Sequence, residues 1–393
     1  MRRSKSLIKR TLKIEIIPNP IKGSGAAFLW GPRQVGKTTF LHEHFKEACF
    51  YDLLDTNLCA ELSIKPYIFR EEVLARKPKL VIVDEIQKIP ELLEEIHWLL
   101  ENTSVQFVLC GSSARKIKRK ARNLLGGRAI EVSLFPLTSK EIVEIDLLKI
   151  LNYGSIPVHY LATKPTKLIK AYVNNYIKEE IIDESLTRNI PAFSKFLKIV
   201  GLTHGQQLNY TNIARESGVA SNTVRNYYQI LKDTLLGFEL EPWRKSKKRR
   251  MVESSKFYLF DIGIANFLHP EIKQVVAGTD TFGRAFEHFL INEVRTYLFY
   301  SEIDEALTYW RTSSGFEVDL IIGNMELAIE IKASMEIRNV DLKGLRALKE
   351  EQKVKRAILV TFSSKNRKTS DGIEILPWKD FCSQLWQDQL IQK

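Results

Sequence analysis

Short apolar runs alternate with amphipathic segments over the first third of the chain. The runs at residues 26–30, 49–54, 79–84 and 105–110 are almost continuously hydrophobic, which is typical of strands buried on both faces. Segments with helical spacing separate them, for example residues 90–102. Buried strands that alternate with helices predict a parallel sheet covered by helices on both faces.

The pattern changes after about Leu134, where apolar positions recur at helical spacing. Residues 193–240 are predicted to be helical with a turn at 217–218, and Pro165 is expected to break the helical pattern before them. A last region begins near Gly283. Its hydrophobic pattern predicts a helix, a strand-turn-strand unit over 307–331, and then a helix and a strand. A chain of 393 residues is too long for one ordinary core, so two or three domains are expected.

Composition favours a soluble protein with a polyanionic partner. The formal net charge is +12, and basic residues crowd two stretches, 115–122 and 244–250. No apolar segment follows the basic N-terminus, and no run of 18 apolar residues occurs, so neither a signal peptide nor a membrane span is predicted. The four cysteines lack metal-site spacing and are typical of a reducing compartment, which predicts a cytoplasmic protein.

A glycine-rich motif lies between the first apolar run and the first helical segment. Glycines let the backbone turn its N–H groups toward phosphate oxygens, and a helix N-terminus adds partial positive charge. The motif therefore predicts an ATP-binding loop in which Lys37 reaches the β- and γ-phosphates and Thr38 ligates Mg²⁺. The predicted nucleotide-binding residues are Gly31, Pro32, Arg33, Gln34, Val35, Gly36, Lys37, Thr38 and Thr39.

Polar residues follow the later apolar runs. Asp84 is predicted to hold Mg²⁺ through water, and Glu85 to polarise the attacking water. Ser112 is a candidate sensor of the γ-phosphate, although a simple Gly-Ser turn explains it equally well. Arg128 follows two glycines and is predicted to contact phosphate in its own site or in a neighbour's; an ordinary surface arginine is the alternative.

Five short segments occur in an order that resembles one known family. They are Trp30–Thr39, Val83–Gln87, Cys110–Ser113, Leu125–Arg128 and Leu134–Thr138. In this order they resemble the prokaryotic AAA+-type ATPases that carry a C-terminal nuclease-like domain of unknown function. The resemblance runs from about residue 20 to 380. It implies the AAA+ fold, ATP as nucleotide and the phosphate and metal roles given above, but it implies no cellular task.

Residues 210–231 have the pattern of a helix-turn-helix. Gly218 is predicted to make the turn, and Ser221 to cap the second helix. Outward polar residues of the second helix, with the basic run 244–250, suit base edges and phosphates. A winged helix that contacts only protein is the alternative. The predicted DNA-contact residues are Asn222, Thr223, Arg225, Lys247, Lys248 and Arg249.

Four charged residues of the last region are expected to converge. Glu287 lies on the predicted helix, Asp319 lies in a strand, and Glu330 and Lys332 share one face of the next strand. Such carboxylates hold Mg²⁺, and a lysine orients or deprotonates a water that attacks phosphate. The quartet resembles the PD-(D/E)xK nucleases, except that Val318 stands where that family often has proline. A scaffold that no longer cuts, or a charged strand edge, is the alternative.

These elements predict an α/β P-loop NTPase with an AAA+-like parallel sheet, then a helical winged-helix module and an α/β restriction-endonuclease-like domain. The expected domains are an ATPase core at 1–135, a helical lid or connector at 136–192, a winged helix at 193–262 and a PD-(D/E)xK nuclease-like domain at 263–393. The predicted function is Mg²⁺-dependent ATP hydrolysis in association with DNA, and homo-oligomerisation stays open. The alternatives are an ATP-dependent switch with an inactive nuclease-like domain, and an ATP-gated metal-dependent nuclease.

Overall fold

The computed structural model describes residues 8–112, 117, 129–177, 189–244, 251 and 253–391. Within these residues the strands form one parallel sheet of five strands and one mixed sheet of eight. The helices of the middle of the chain lie between the two sheets in sequence.

The first sheet has the strand order β2-β3-β4-β1-β5, and each neighbouring pair is parallel. Its strands are β1 (Gly25–Trp30), β2 (Cys49–Asp52), β3 (Leu80–Asp84), β4 (Gln106–Gly111) and β5 (Ala129–Ser133). The connecting helices are Lys37–His44, Thr56–Ile64, Tyr67–Arg76 and Leu92–Asn102, with a short 3-10 helix at Ile86–Lys88. The central strands are buried, which confirms the parallel α/β sheet predicted for this region.

Short helices follow the first sheet. They are Leu147–Tyr153, Pro157–Leu161 and Pro165–Ala171, with a π-helical turn at Tyr172–Ile177. The predicted break at Pro165 is present: one helix ends at Leu161, residues 162–164 are not helical, and Pro165 is the first residue of the next helix. Proline is tolerated there, since the first N–H of a helix has no partner within the helix.

Three helices and a hairpin come next. The helices are Ile190–Leu202, Tyr210–Ser217 and Ser221–Asp233, and the antiparallel hairpin is β6 (Gly237–Pro242) with β7 (Lys256–Leu259). The helix predicted to reach residue 240 ends at Asp233, because Gly237 begins a strand instead. The prediction that Ser221 caps the third helix was also wrong. Ala220 is the N-cap residue, without a side-chain hydrogen bond, and Ser221 is already helical.

The second sheet contains the C-terminal strands and also the hairpin. Its order is β12-β13-β11-β10-β9-β8-β6-β7, and β6 joins β8 through the parallel pair of Glu241 with Thr308. The remaining strands are β8 (Leu307–Arg311), β9 (Glu317–Ile322), β10 (Leu327–Ile331), β11 (Arg356–Thr361), β12 (Arg367–Lys368) and β13 (Glu374–Pro377). The helices of this part are Ile262–Leu268, Asp280–Tyr300, Lys343–Glu351 and Trp378–Trp386, with a 3-10 helix at Asn339–Leu342.

The helix Asp280–Tyr300, named the long helix below, connects the two halves of the molecule. Its Glu293 carboxylate accepts hydrogen bonds from the backbone N–H and the hydroxyl of Ser139, at 2.7 and 2.6 Å. Near its end, the Tyr300 hydroxyl accepts from the N–H of Phe135 at 3.1 Å. The segment that follows β5 is therefore packed directly against the C-terminal region. Within the part of the chain that the structure describes, no helix has the length and apolarity to cross a bilayer.

Candidate functional site

The loop between β1 and the helix Lys37–His44 has the backbone geometry of an anion site. Gln34 and Gly36 both have positive φ, at 67° and 93°, so successive N–H groups curve around one point. Within this described helix the first turn carries no acidic residue, and Gly36, the N-cap, offers no capping side chain. The helix N-terminus is thus left to an external anion. A Cβ at Gly31 would lie 2.6 Å from the carbonyl oxygen of Leu134, so only glycine fits there.

The predicted metal ligands meet at the mouth of this loop. The Thr38 hydroxyl donates to Asp84 Oδ2 at 2.5 Å, and Asp84, at the end of β3, is buried. The Lys37 ammonium group donates to the carbonyl oxygens of Gly31 and Pro32, at 2.8 and 3.1 Å. A hydroxyl beside a carboxylate is an oxygen donor set that suits Mg²⁺, so the residues present fit that ion. Thr39 is exposed on the same first turn.

The strand ends beside Asp84 carry the remaining predicted catalytic residues. Glu85 has a left-handed backbone, with φ of 59°, which is uncommon for a residue other than glycine and clusters at functional sites. Gln87 donates to Glu85 Oε2 and, at 3.2 Å, to the hydroxyl of buried Ser112. Gln87 thus joins the two predicted residues Glu85 and Ser112. Arg128 lies outside the described residues.

A buried arginine that the sequence interpretation missed contacts the loop. Arg10 donates from Nη1 to the carbonyl oxygen of Val35 at 2.6 Å and from Nη2 to that of Phe135 at 2.5 Å. Its Nε pairs with the buried carboxylate of Glu141 at 3.1 Å. Glu141 also accepts from the N–H groups of Thr11 and Thr138. Arg10 and Glu141 together therefore connect the N-terminal segment, the phosphate loop and the segment after β5.

A large cavity of about 1100 Å³ opens between the N-terminal segment and the phosphate-loop helix. The cavity is lined by residues 8–15, by Phe40, His44 and Phe45, and by residues 140–143. The cavity therefore adjoins the loop that Arg10 supports, and its lining mixes aromatic and polar groups as ligand pockets do. On the other side of the loop, the Tyr172 hydroxyl donates to the carbonyl oxygen of Arg33 at 3.3 Å.

The third helix of the three-helix unit, Ser221–Asp233, carries those predicted DNA-contact residues that the structure describes. Asn222 and Arg225 are exposed and Thr223 is half-buried, while Val224 and Tyr228 face the core. The guanidinium of Arg225 lies 4.1 Å from the ring centre of Tyr210, which holds it along the helix surface. The other predicted contacts, Lys247, Lys248 and Arg249, lie outside the described residues.

The C-terminal quartet lies around the edges of β9 and β10. Lys332 pairs with Glu330 at 2.5 Å, and Asp319 Oδ2 accepts from the N–H of Ile331 at 2.7 Å, so these three side chains converge. Burial, and then the charge of Glu287, raise the pKa of Asp319 above its ordinary value, which brings Glu287 into the same group. Glu317 belongs with them, and Glu287, Glu317, Asp319 and Glu330 are named the carboxylate cluster below. Across the described residues, no group of three or more His, Cys, Asp or Glu side chains is arranged to hold a metal ion.

Three family models match successive parts of this chain. Residues 24–143 match an AAA domain, residues 145–274 match a domain of unknown function (DUF8612), and residues 282–381 match a domain of unknown function (DUF4143). The first match covers the phosphate loop and the Asp84 strand. It supports an AAA-type ATPase assignment for the N-terminal region, with nucleotide binding and an ATPase-type function.

Two similar proteins bear names that state no function, each being called an uncharacterized protein. One from Mycobacterium tuberculosis is 25% identical over 304 residues, which cover 75% of this chain and 66% of the relative. The chain thus spans just under two thirds of that relative's length. One from Methanocaldococcus jannaschii is 23% identical over 349 residues, covering 80% of this chain and 75% of the relative. Among solved structures, the Walker-type ATPase of Pyrococcus abyssi is 15% identical, with a TM-score of 0.40, over 62% of this chain and 90% of that chain.

Proposed function

We propose that the chain binds and hydrolyses ATP with Mg²⁺ and that it does so in association with DNA. The observation that supports the ATPase part is the contact of Thr38 with Asp84 at the mouth of an uncapped helix N-terminus. An acidic strand end beside the hydroxyl of a phosphate loop provides both the anion site and the oxygen ligands that a nucleotide with Mg²⁺ requires.

Each residue of the nucleotide site has a separate task in the proposed reaction. Lys37 exchanges its two carbonyl partners for phosphate oxygens, because a phosphate offers a stronger charge-assisted hydrogen bond. Thr38 and Asp84 hold Mg²⁺, which when bound neutralises charge on the β- and γ-phosphates. Glu85 orients the attacking water. Gln87 donates hydrogen bonds to the Glu85 carboxylate and to the Ser112 hydroxyl, and so positions both groups. The base of the nucleotide occupies the cavity beside Phe40.

Association with DNA is the second part of the proposal. The three helices and the hairpin β6–β7 follow the order of a winged helix, and this order supports that interpretation. Arg225 and Asn222 stand exposed on the third helix, where a recognition helix carries its contacts. The net charge of +12 supports a polyanionic partner as well.

Two substitutions test the ATPase part. Lys37→Ala should weaken binding of a fluorescent ATP analogue by at least about tenfold, because it removes a charge-assisted contact to phosphate. Glu85→Gln should keep the affinity and lower steady-state turnover by roughly 10²- to 10⁴-fold, the usual effect of losing a general base. Lys65→Ala, at an exposed lysine in the same region, is the matched control. Unchanged ATP affinity in Lys37→Ala would contradict the assignment of the loop.

A second candidate is an ATP-dependent switch whose nuclease-like domain is inactive. Among the described residues, no group of three or more His, Cys, Asp or Glu side chains is arranged to hold a metal ion, which favours an inactive nuclease-like domain. The two candidates differ in solution, because only an ATPase coupled to DNA increases its turnover when DNA is added. Incubation of supercoiled plasmid with Mn²⁺ and ATP tests the third option, a gated nuclease. Nicking that disappears in Asp319→Asn would support that option.

A further inference from the structure

A basic side chain from the hairpin already occupies the carboxylate cluster. Lys256, in β7, is 5% exposed, and its ammonium nitrogen lies 2.7 Å from Glu317 Oε1 and 3.4 Å from Glu287 Oε1. Tyr258, two residues further along β7, donates its hydroxyl to the same Glu287 oxygen at 2.8 Å. Strand β7 therefore engages the carboxylate that the long helix contributes to the cluster.

One oxygen of the cluster has no partner in the described structure. Glu330 is 6% exposed; its Oε1 pairs with Lys332, but its Oε2 is buried without any hydrogen bond. Buried carboxylate oxygens are rarely left unsatisfied, so this orphan marks a place for a further ligand. Asp319 lies beside it, held by the N–H of Ile331. The third carboxylate that would complete a cation site is Glu287, which β7 has engaged.

We propose that Lys256 takes the place of a metal ion on Glu287, so that the cluster binds Mg²⁺ or Mn²⁺ at Asp319 and Glu330 only after β7 releases that carboxylate. A lysine ammonium is a compact point charge that a carboxylate accepts much as it accepts a cation. Lys256, Lys332 and Arg311, which also pairs with Glu317, offset three of the four formal negative charges of the cluster, so a divalent ion gains little. This inference concerns the C-terminal region and does not depend on ATP hydrolysis.

The same contacts connect metal binding to two side chains of the hairpin. Strand β7 is held on both sides: it pairs with β6, and on its other side the carbonyl oxygens of Phe257 and Ser255 accept from the N–H groups of Gly205 and Leu208, at 2.9 and 2.8 Å. The backbone of β7 is therefore fixed. Release of Glu287 requires the Lys256 and Tyr258 side chains to move away from the carboxylate, and not a displacement of the strand.

Titration of the full chain with Mn²⁺, followed by electron paramagnetic resonance without nucleotide, tests the proposal. The wild type should bind no Mn²⁺ at this cluster. Lys256→Gln, which keeps a hydrogen-bond donor but removes the charge, should gain one site at least tenfold tighter than any wild-type site. The new site should vanish when Asp319→Asn is added. Lys256→Arg, which keeps the charge, should behave as the wild type does.

Thermal unfolding provides a second measurement in case Lys256→Gln folds poorly. Without the ammonium group, Glu287 and Glu317 lose the cation between them, so the melting temperature of the variant should fall. Mn²⁺ should raise it again. The melting temperature of the wild type should not change with Mn²⁺. Wild-type Mn²⁺ binding that depends on Asp319 and equals that of Lys256→Gln would overturn the proposal. The proposal would also be overturned if Lys256→Gln folds but gains no Mn²⁺ site. The same holds if Mn²⁺ does not raise the melting temperature of Lys256→Gln.

Discussion

Arg10 illustrates how a single buried charge connects distant parts of the chain. Its guanidinium contacts Val35, Phe135 and Glu141, which lie between 25 and 131 positions away. Because Nη1 donates to the Val35 carbonyl, the residue holds one carbonyl group of the phosphate loop in place. A planar group with several donors is needed to reach two carbonyls and a carboxylate at once, and lysine does not provide it.

Substitution of Arg10 should separate loop positioning from stability. Arg10→Met leaves the Glu141 carboxylate buried without its partner, which costs about 3 kcal/mol or more in typical buried pairs. It should lower the melting temperature and also weaken ATP binding. Arg10→Met with Glu141→Leu should regain much of the melting temperature but not the ATP affinity. If the double variant binds ATP as tightly as the wild type, Arg10 has only a structural role.

At the scale of elements, the long helix is the main connection between the ATPase region and the C-terminal sheet. Its Glu293 accepts hydrogen bonds from Ser139 and, at 2.8 Å, from the indole of Trp386. Two residues later, the Arg295 guanidinium lies 4.5 Å from the ring centre of Phe135 and 4.2 Å from that of Phe238. The helix that carries Glu287 thus also contacts the segment after β5, which Arg10 joins to the phosphate loop.

The docking of this helix should depend on pH through Glu293. Burial raises the pKa of Glu293 from 4.5 to about 7, despite its hydrogen bonds with Ser139 and Trp386. Between these values the native state keeps a proton that the unfolded state has lost. Stability therefore falls as pH rises from about 4.5 to 7, by an amount on the order of 3 kcal/mol, and is constant above.

Glu293→Gln should remove this dependence, since its side chain does not titrate. The melting temperatures of the two proteins should be similar near pH 5, and the variant should be the more stable near pH 8. The difference between the two curves is the quantity to measure, because half-buried His204 and buried His288 contribute the opposite slope: desolvation lowers the pKa of both. A difference that does not change with pH would show that Glu293 titrates normally.

The sequence predicted those features whose determinants are close together in the chain. The phosphate loop is contiguous, and Asp84 and Ser112 end hydrophobic runs, so the parallel sheet brought them to one edge as expected. Arg10 and Lys256 were missed because nothing near them in the sequence marks a partner more than twenty positions away. Only the first strand of the hairpin was predicted wrongly, since the residues around Phe238 have helical spacing locally and form a strand by pairing with the strand of Tyr258.

At the scale of the whole molecule, the proposed association with DNA predicts a change in salt dependence. Each phosphate contact contributes about −0.9 to the slope of log affinity against log salt concentration, because binding releases a counterion. Arg225→Ala should therefore make the slope for duplex DNA shallower by roughly one and weaken binding across unrelated sequences. It should also reduce any stimulation of ATP hydrolysis by DNA, while turnover without DNA stays the same.

The matched control is Lys65→Ala, which removes one exposed positive charge from the ATPase region and should leave the salt slope unchanged. A further comparison uses Asn222→Ala on the same helix. Because an amide reads base edges rather than phosphates, its loss should change sequence preference and leave the slope as it is. If Arg225→Ala and Lys65→Ala reduce DNA affinity equally, the attraction comes from net charge alone. The three-helix unit would then be a protein-contact module, and the DNA part of the proposed function would fail while the ATP site stood unaffected.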